Sequence, residues 1–97
     1  MDMVVGIGII TFRIHDCRSL KGKRQIVKAI IARIRNQFNA SVAEIGANDV
    51  YHQAEIGISL VGNDRQMINS KLDKIFNLAD SLGLAEMIDT ELEIINI

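Results

Sequence analysis

The stretch Ile10-Thr11-Phe12-Arg13-Ile14-His15-Asp16-Cys17-Arg18-Ser19-Leu20-Lys21-Gly22-Lys23-Arg24-Gln25-Ile26-Val27 changes its hydrophobic period from two to 3.6 part-way along, and that change decides the fold. Ile10, Phe12 and Ile14 point one way and Thr11 and Arg13 the other, as in a strand running from about Met3 to Ile14. Gly6 and Gly8 share the face of Ile10, which lets another element pack closely there. From Leu20 the spacing turns helical: Leu20, Val27, Ile30, Ile31, Ile34 and Phe38 form one buried stripe over a helix of about 20–38. Ser19 is placed to cap it, its hydroxyl accepting from an amide one turn on. Gly22 in the first turn is a local weakness of about 0.5–1 kcal/mol relative to Ala.

The same succession recurs downstream. A short strand is expected at about 40–46, its pattern leaving the inward face ambiguous, and Ala47 to His52 forms a polar turn around Asn48-Asp49. From Gln53 to Val61, Ala54, Ile56, Ile58 and Leu60 alternate with Gln53, Glu55, Gly57 and Ser59. A second helix is expected over 64–82, with Asn63 as its cap and Gln66 completing a capping box. Ile68, Leu72, Ile75, Phe76 and Ala79 line its apolar side, and Gly83 stands where a left-handed residue ends a helix. The last strand, about 87–95, sets Ile88, Thr90, Leu92 and Ile94 against Asp89, Glu91 and Glu93. The order β-α-β-β-α-β predicts a ferredoxin-like α+β fold: a four-stranded antiparallel sheet with both helices on one face.

Such a sheet leaves its other face free. Val5, Ile7, Ile9 and Thr11, Val61, and Ile95 with Glu91 and Glu93 are predicted to lie there. An apolar centre with a charged border resembles a subunit interface, so Val5, Ile7, Ile9, Val61 and Ile95 are candidate contacts of a homodimer.

At 97 residues the chain has room for one core, and 48% hydrophobic with 24% charged residues is an ordinary globular mix. The apolar start lacks a basic n-region and reads as a strand, and no apolar run approaches a membrane span. Cys17, the single cysteine, cannot form an internal disulfide and fits a reducing cytosol. No membrane partner is expected.

The net charge of −1 hides an asymmetry. Between Cys17 and Ala43 stand Arg18, Lys21, Lys23, Arg24, Lys28, Arg33 and Arg35, seven of the eleven basic residues, and no acidic one. Four basic residues then face twelve acidic ones elsewhere, a net of −8. Lys21, Arg24, Lys28 and Arg35 fall within one 60° sector of the first helix at 100° per residue, over about 21 Å of axis. Lys21, Lys23 and Arg24 crowd the first turn, where the helix dipole disfavours cations and favours a bound anion. The candidate anion- or nucleic-acid-binding residues are therefore Ser19, Lys21, Lys23, Arg24, Lys28 and Arg35, with Tyr51 as an edge contact. Four aromatic residues, Phe12, Phe38, Tyr51 and Phe76, are too few for a base-stacking sheet.

Other chemistries find little support. Gly6-Ile7-Gly8 lies inside a strand and lacks the third glycine of a dinucleotide fingerprint. His15, Asp16 and Cys17 are consecutive, and on an extended segment they cannot converge on one metal. The loop Asp16-Cys17-Arg18-Ser19 has no glycines with which to cradle a phosphate as acylphosphatases do. Glu91 and Glu93 are expected to be exposed or to pair with Arg13 rather than to act as an acid/base couple. No catalytic residue, metal or cofactor is expected.

Several runs together resemble a known family: Ser19-Leu20-Lys21-Gly22-Lys23-Arg24, Ser41-Val42-Ala43-Glu44, Asp49-Val50-Tyr51-His52-Gln53-Ala54, Asn63-Asp64-Arg65 and Glu91-Leu92-Glu93-Ile94. In order and spacing they resemble the YlxP-like family (DUF503), across nearly the whole chain. The resemblance implies a ferredoxin-like fold and a cytoplasmic bacterial protein with no established activity. Genes of that family often stand among those for translation initiation and ribosome maturation, which implies an RNA or ribosome partner. The family commonly carries Glu where this chain has Gly22 and Trp where it has Tyr51, and its loop before the helix contains Pro and Gly. The expected function is a non-enzymatic RNA- or ribosome-associated factor binding phosphate through the first helix. The alternative is a homodimeric regulatory or scaffolding module that binds a protein or small ligand through the open sheet.

Overall fold

The computed structural model describes residues 2–97. Its elements run β1 (Val4–Arg13), α1 (Leu20–Gln37), β2 (Ser41–Gly46), β3 (Gln53–Gly62), α2 (Arg65–Ser81) and β4 (Glu86–Asn96). The strands form one antiparallel sheet in the order β2-β3-β1-β4. This is the ferredoxin-like βαββαβ plan that the period changes predict.

Register shows why both helices share one face. Directly opposed residues point the same way, so Glu44, Ile56 and Ile10 form one row, with Ile56 opposite both its neighbours. Ile10, Phe12, Ala54, Ile56, Ile58 and Leu60 from that side are buried against Val27, Ile30 and Ile34 of α1 and Ile68, Leu72, Ile75 and Ala79 of α2. Gly6 permits the approach of α2: a Cβ there would collide with Ile68 Cγ2 and stand 3.0 Å from Leu72 Cδ1.

The helix ends follow side-chain capping. Ser19 Oγ accepts from the Gly22 amide at 3.0 Å, as expected. At α2 the cap is Asp64, not Asn63; its Oδ1 accepts from the Gln66 amide at 2.9 Å. Gly83, just past α2, has φ +67°, the left-handed conformation its position predicts.

Two bulges escape a strict period-two reading. One falls between Glu44 and Gly46 opposite β3, and the other lies in the β1–β4 ladder between Thr11 and Phe12. The second returns Met87 to the core side, against Phe12, and leaves Ile88 exposed. Each bulge adds an unpaired residue, and every side chain beyond it changes phase.

Candidate nucleic-acid interface

Helix α1 presents its cations where the wheel predicts, with one exception. Lys21, Arg24, Lys28 and Arg35 are exposed, as are Arg18 just before the helix and Arg33 on another side of it. The ion pairs among the described residues are His15–Glu86 and Lys23–Glu44, so none of these six cations has a carboxylate partner. The first turn contains no acidic residue.

The exception is Lys23. It is 1% exposed, lies within the core, and its Nζ stands 2.9 Å from Glu44 Oε2 on β2 while donating to the Ala47 carbonyl. It cannot reach a phosphate, and its assignment to the anion-binding set is corrected. The physical reason is its angle on the helix. Lys23, Val27, Ile30 and Ile34 follow the i, i+4, i+7, i+11 spacing of a single stripe, and they are the buried residues of α1. A cation there requires a partner, and Glu44 supplies it from the helix-facing side of β2. The expectation that nothing acidic relieves the first turn is thus overturned for Lys23 and holds for Lys21 and Arg24.

This pair also locates Tyr51. Ala47, held by Lys23, begins the 47–52 connection in a left-handed conformation at φ 57°. Ile14 N donates to the His52 carbonyl at 2.9 Å at the other end of that connection. Tyr51 is exposed on it, with its ring edge-on to His52 at a centroid distance of 5.8 Å. The first turn of α1 and the Tyr51 loop are therefore fastened to one another through a buried side chain. Ser19 is exposed, but its hydroxyl already serves the helix cap.

On the opposite face of the sheet, Val5 stands between Val61 and Ile95 in register, and Ile7 and Ile9 continue the row along β1. Val5, Ile7 and Ile9 are half-buried, while Val61 is 62% and Ile95 36% exposed. Ile45, two residues after Ala43 and on the same side, leans over Gly57 on this face and is 52% exposed. Glu91 and Glu93 are exposed opposite Ile9 and Ile7 rather than paired with Arg13, whose β4 neighbour is Glu86.

Among the described residues, no helix is long and apolar enough to cross a membrane. Among the described residues, no three His, Cys, Asp or Glu side chains group as a metal site would need.

A family described as a protein of unknown function, DUF503, matches residues 5–92. The uncharacterised protein YlxP of Bacillus subtilis (strain 168) is 35% identical over 80 residues, covering 82% of this chain and 87% of its own. Among solved structures, a dimeric ferredoxin-like protein of unknown function from Thermobifida fusca superposes with a TM-score of 0.50 at 11% identity, covering 96% of this chain and 92% of that one. The de novo designed protein Foldit4 does so with a TM-score of 0.50 at 17% identity, over 100% and 97% of the two chains. At such identities the likeness concerns the fold alone.

Proposed function

We propose that this chain, which belongs to the DUF503 family of proteins of unknown function, is a non-enzymatic, cytoplasmic RNA-binding factor that acts in association with the ribosome. Lys21, Arg24, Lys28 and Arg35 of α1 are its phosphate contacts, and Tyr51 meets the RNA beside the first turn. One observation carries the reading: these four cations share one side of α1, are exposed, and have no carboxylate partner among the described residues. Structural cations tend to be neutralised locally, as Lys23 is by Glu44. Cations left in a row over about 21 Å are matched to successive phosphates.

The overall pI of about 6.1 supports a local site rather than a general nucleic-acid coat. With few exposed aromatic residues, the fitting ligand is structured RNA, bound through its backbone rather than by base stacking. The test is fluorescence anisotropy of a labelled RNA hairpin with wild type and with the Lys21→Ala/Arg24→Ala/Lys28→Ala variant, at two salt concentrations. Lys23 stays in place, because its removal would perturb the core. Salt-sensitive binding lost in the variant supports the reading; equal binding by both proteins, or none at low salt, refutes it.

A further inference from the structure

The face of the sheet away from the helices carries a second, oppositely charged surface. Its centre is apolar: Ile7 and Ile9 of β1 line one groove with Ala43 and Ile45 of β2 and Gly57 of β3, and a second groove with Glu91 and Glu93 of β4. Its β4 border is acidic. Asp89, Glu91 and Glu93 stand opposite Thr11, Ile9 and Ile7 respectively, all exposed and all on this side. Successive members are about 7 Å apart along the strand, close enough to repel. Glu55 on β3 and Glu86 on β4 also face this side, by their opposition to Thr11 and Arg13, and Arg13 is the cation there. Among the described residues none of Asp89, Glu91, Glu93 and Glu55 has a cationic partner.

We infer that this face docks an amphipathic helix of a partner protein whose apolar stripe is flanked on one side by Lys or Arg. The interior strands β3 and β1 have spent their backbone hydrogen bonds on the sheet. An occupant of the face must therefore satisfy its own backbone, as a helix or a second sheet does. The second sheet closest to hand is another copy of this chain, and face-to-face pairing would bring both acidic rows into one interface. A basic-flanked helix instead lays its apolar side along Val5, Ile7 and Ile9 and its cations over Asp89, Glu91 and Glu93. The row from Val5 to Thr11 is about 20 Å long, the length of about 13 helical residues. This surface is distinct from the cationic side of α1, so the two can be occupied together.

The probe is a fluorescein-labelled 17-residue helical peptide with Leu at i, i+3, i+4 and i+7 spacing and Lys along one flank. Two companions replace Lys by Glu or Leu by Ser. The expected result is saturable binding of the Leu/Lys peptide to the wild-type chain and at least tenfold weaker binding of both companions. Glu91→Lys/Glu93→Lys, which changes only exposed side chains, is expected to reverse the preference between Lys and Glu peptides. Lys21→Ala/Arg24→Ala/Lys28→Ala is expected to bind the Leu/Lys peptide as wild type does, which separates this site from the RNA reading. Equal binding of the Lys and Glu peptides, no binding of either, or retention of the Ser companion overturns the inference. So does sedimentation of a dimer that Ile7→Glu dissociates, because a second copy would then be the occupant.

Discussion

Lys23 of α1 and Glu44 of β2 meet at 2.9 Å within a contact that is otherwise apolar, and Lys23 extends the tie to the Ala47 carbonyl. One side chain thereby connects the first helix, an edge strand and the start of the Tyr51 loop. A basic residue drawn from the most cationic segment of the chain serves as part of the scaffold, and its neighbours are left for solvent.

Removing one member of this pair should be costly. Lys23→Met leaves a carboxylate on the helix-facing side without its cation, and a loss of about 3 kcal/mol is expected in urea unfolding. Lys23→Met/Glu44→Leu is expected to lose less than Lys23→Met alone, because the double change buries no unpaired charge. An additive double variant would show that the two groups are not coupled.

The phosphate reading assigns unequal roles to neighbouring cations. Four contacts predict a log-log salt slope of about −3 to −4 for RNA binding, at 0.7 to 0.9 for each phosphate. Arg24→Ala and Lys28→Ala should each reduce that slope by nearly one contact. Arg33→Ala, on another side of α1, should leave it unchanged. Anisotropy titrations over several salt concentrations measure each value.

Capping offers a sharper local test. Asp64→Ala is expected to destabilise the fold by about 0.5–2 kcal/mol, because the carboxylate accepts from the Gln66 amide. Asn63→Ala should fall within about 0.5 kcal/mol of wild type. Thermal melts of the two variants discriminate between the caps; the reverse ranking would return the cap to Asn63.

At Gly6 the close seat of α2 leaves no room for a side chain. Gly6→Ala is expected to cost about 1–3 kcal/mol through displacement of Ile68 and Leu72. A wild-type melting temperature would mean that α2 sits farther from β1 than the Cβ geometry requires.

The fold was legible in the sequence because its signals are local. Alternation in Ile10 to Ile14 and Ala54 to Leu60, helical spacing in Val27 to Ile34, the Ser19 cap and the left-handed Gly83 each depend on a few adjacent residues, and the structure repeats them. The exposed row of Lys21, Arg24, Lys28 and Arg35 was legible for the same reason, since angle on a helix follows from spacing. The place of Lys23 was also written in the sequence, on the Val27, Ile30 and Ile34 stripe, but its charge obscured it. That it could be buried depended on Glu44, twenty-one residues away, and on a strand whose inward face the sequence left ambiguous. The two bulges, and with them Gly46 opposite Glu55 and Met87 in the core, required the paired strands themselves. Local period is a property of one segment, whereas charge partners and strand phase belong to two segments at once. The sequence by itself determined the elements and the charge of each surface; the tertiary structure decided which cation became part of the core and which remained free to bind.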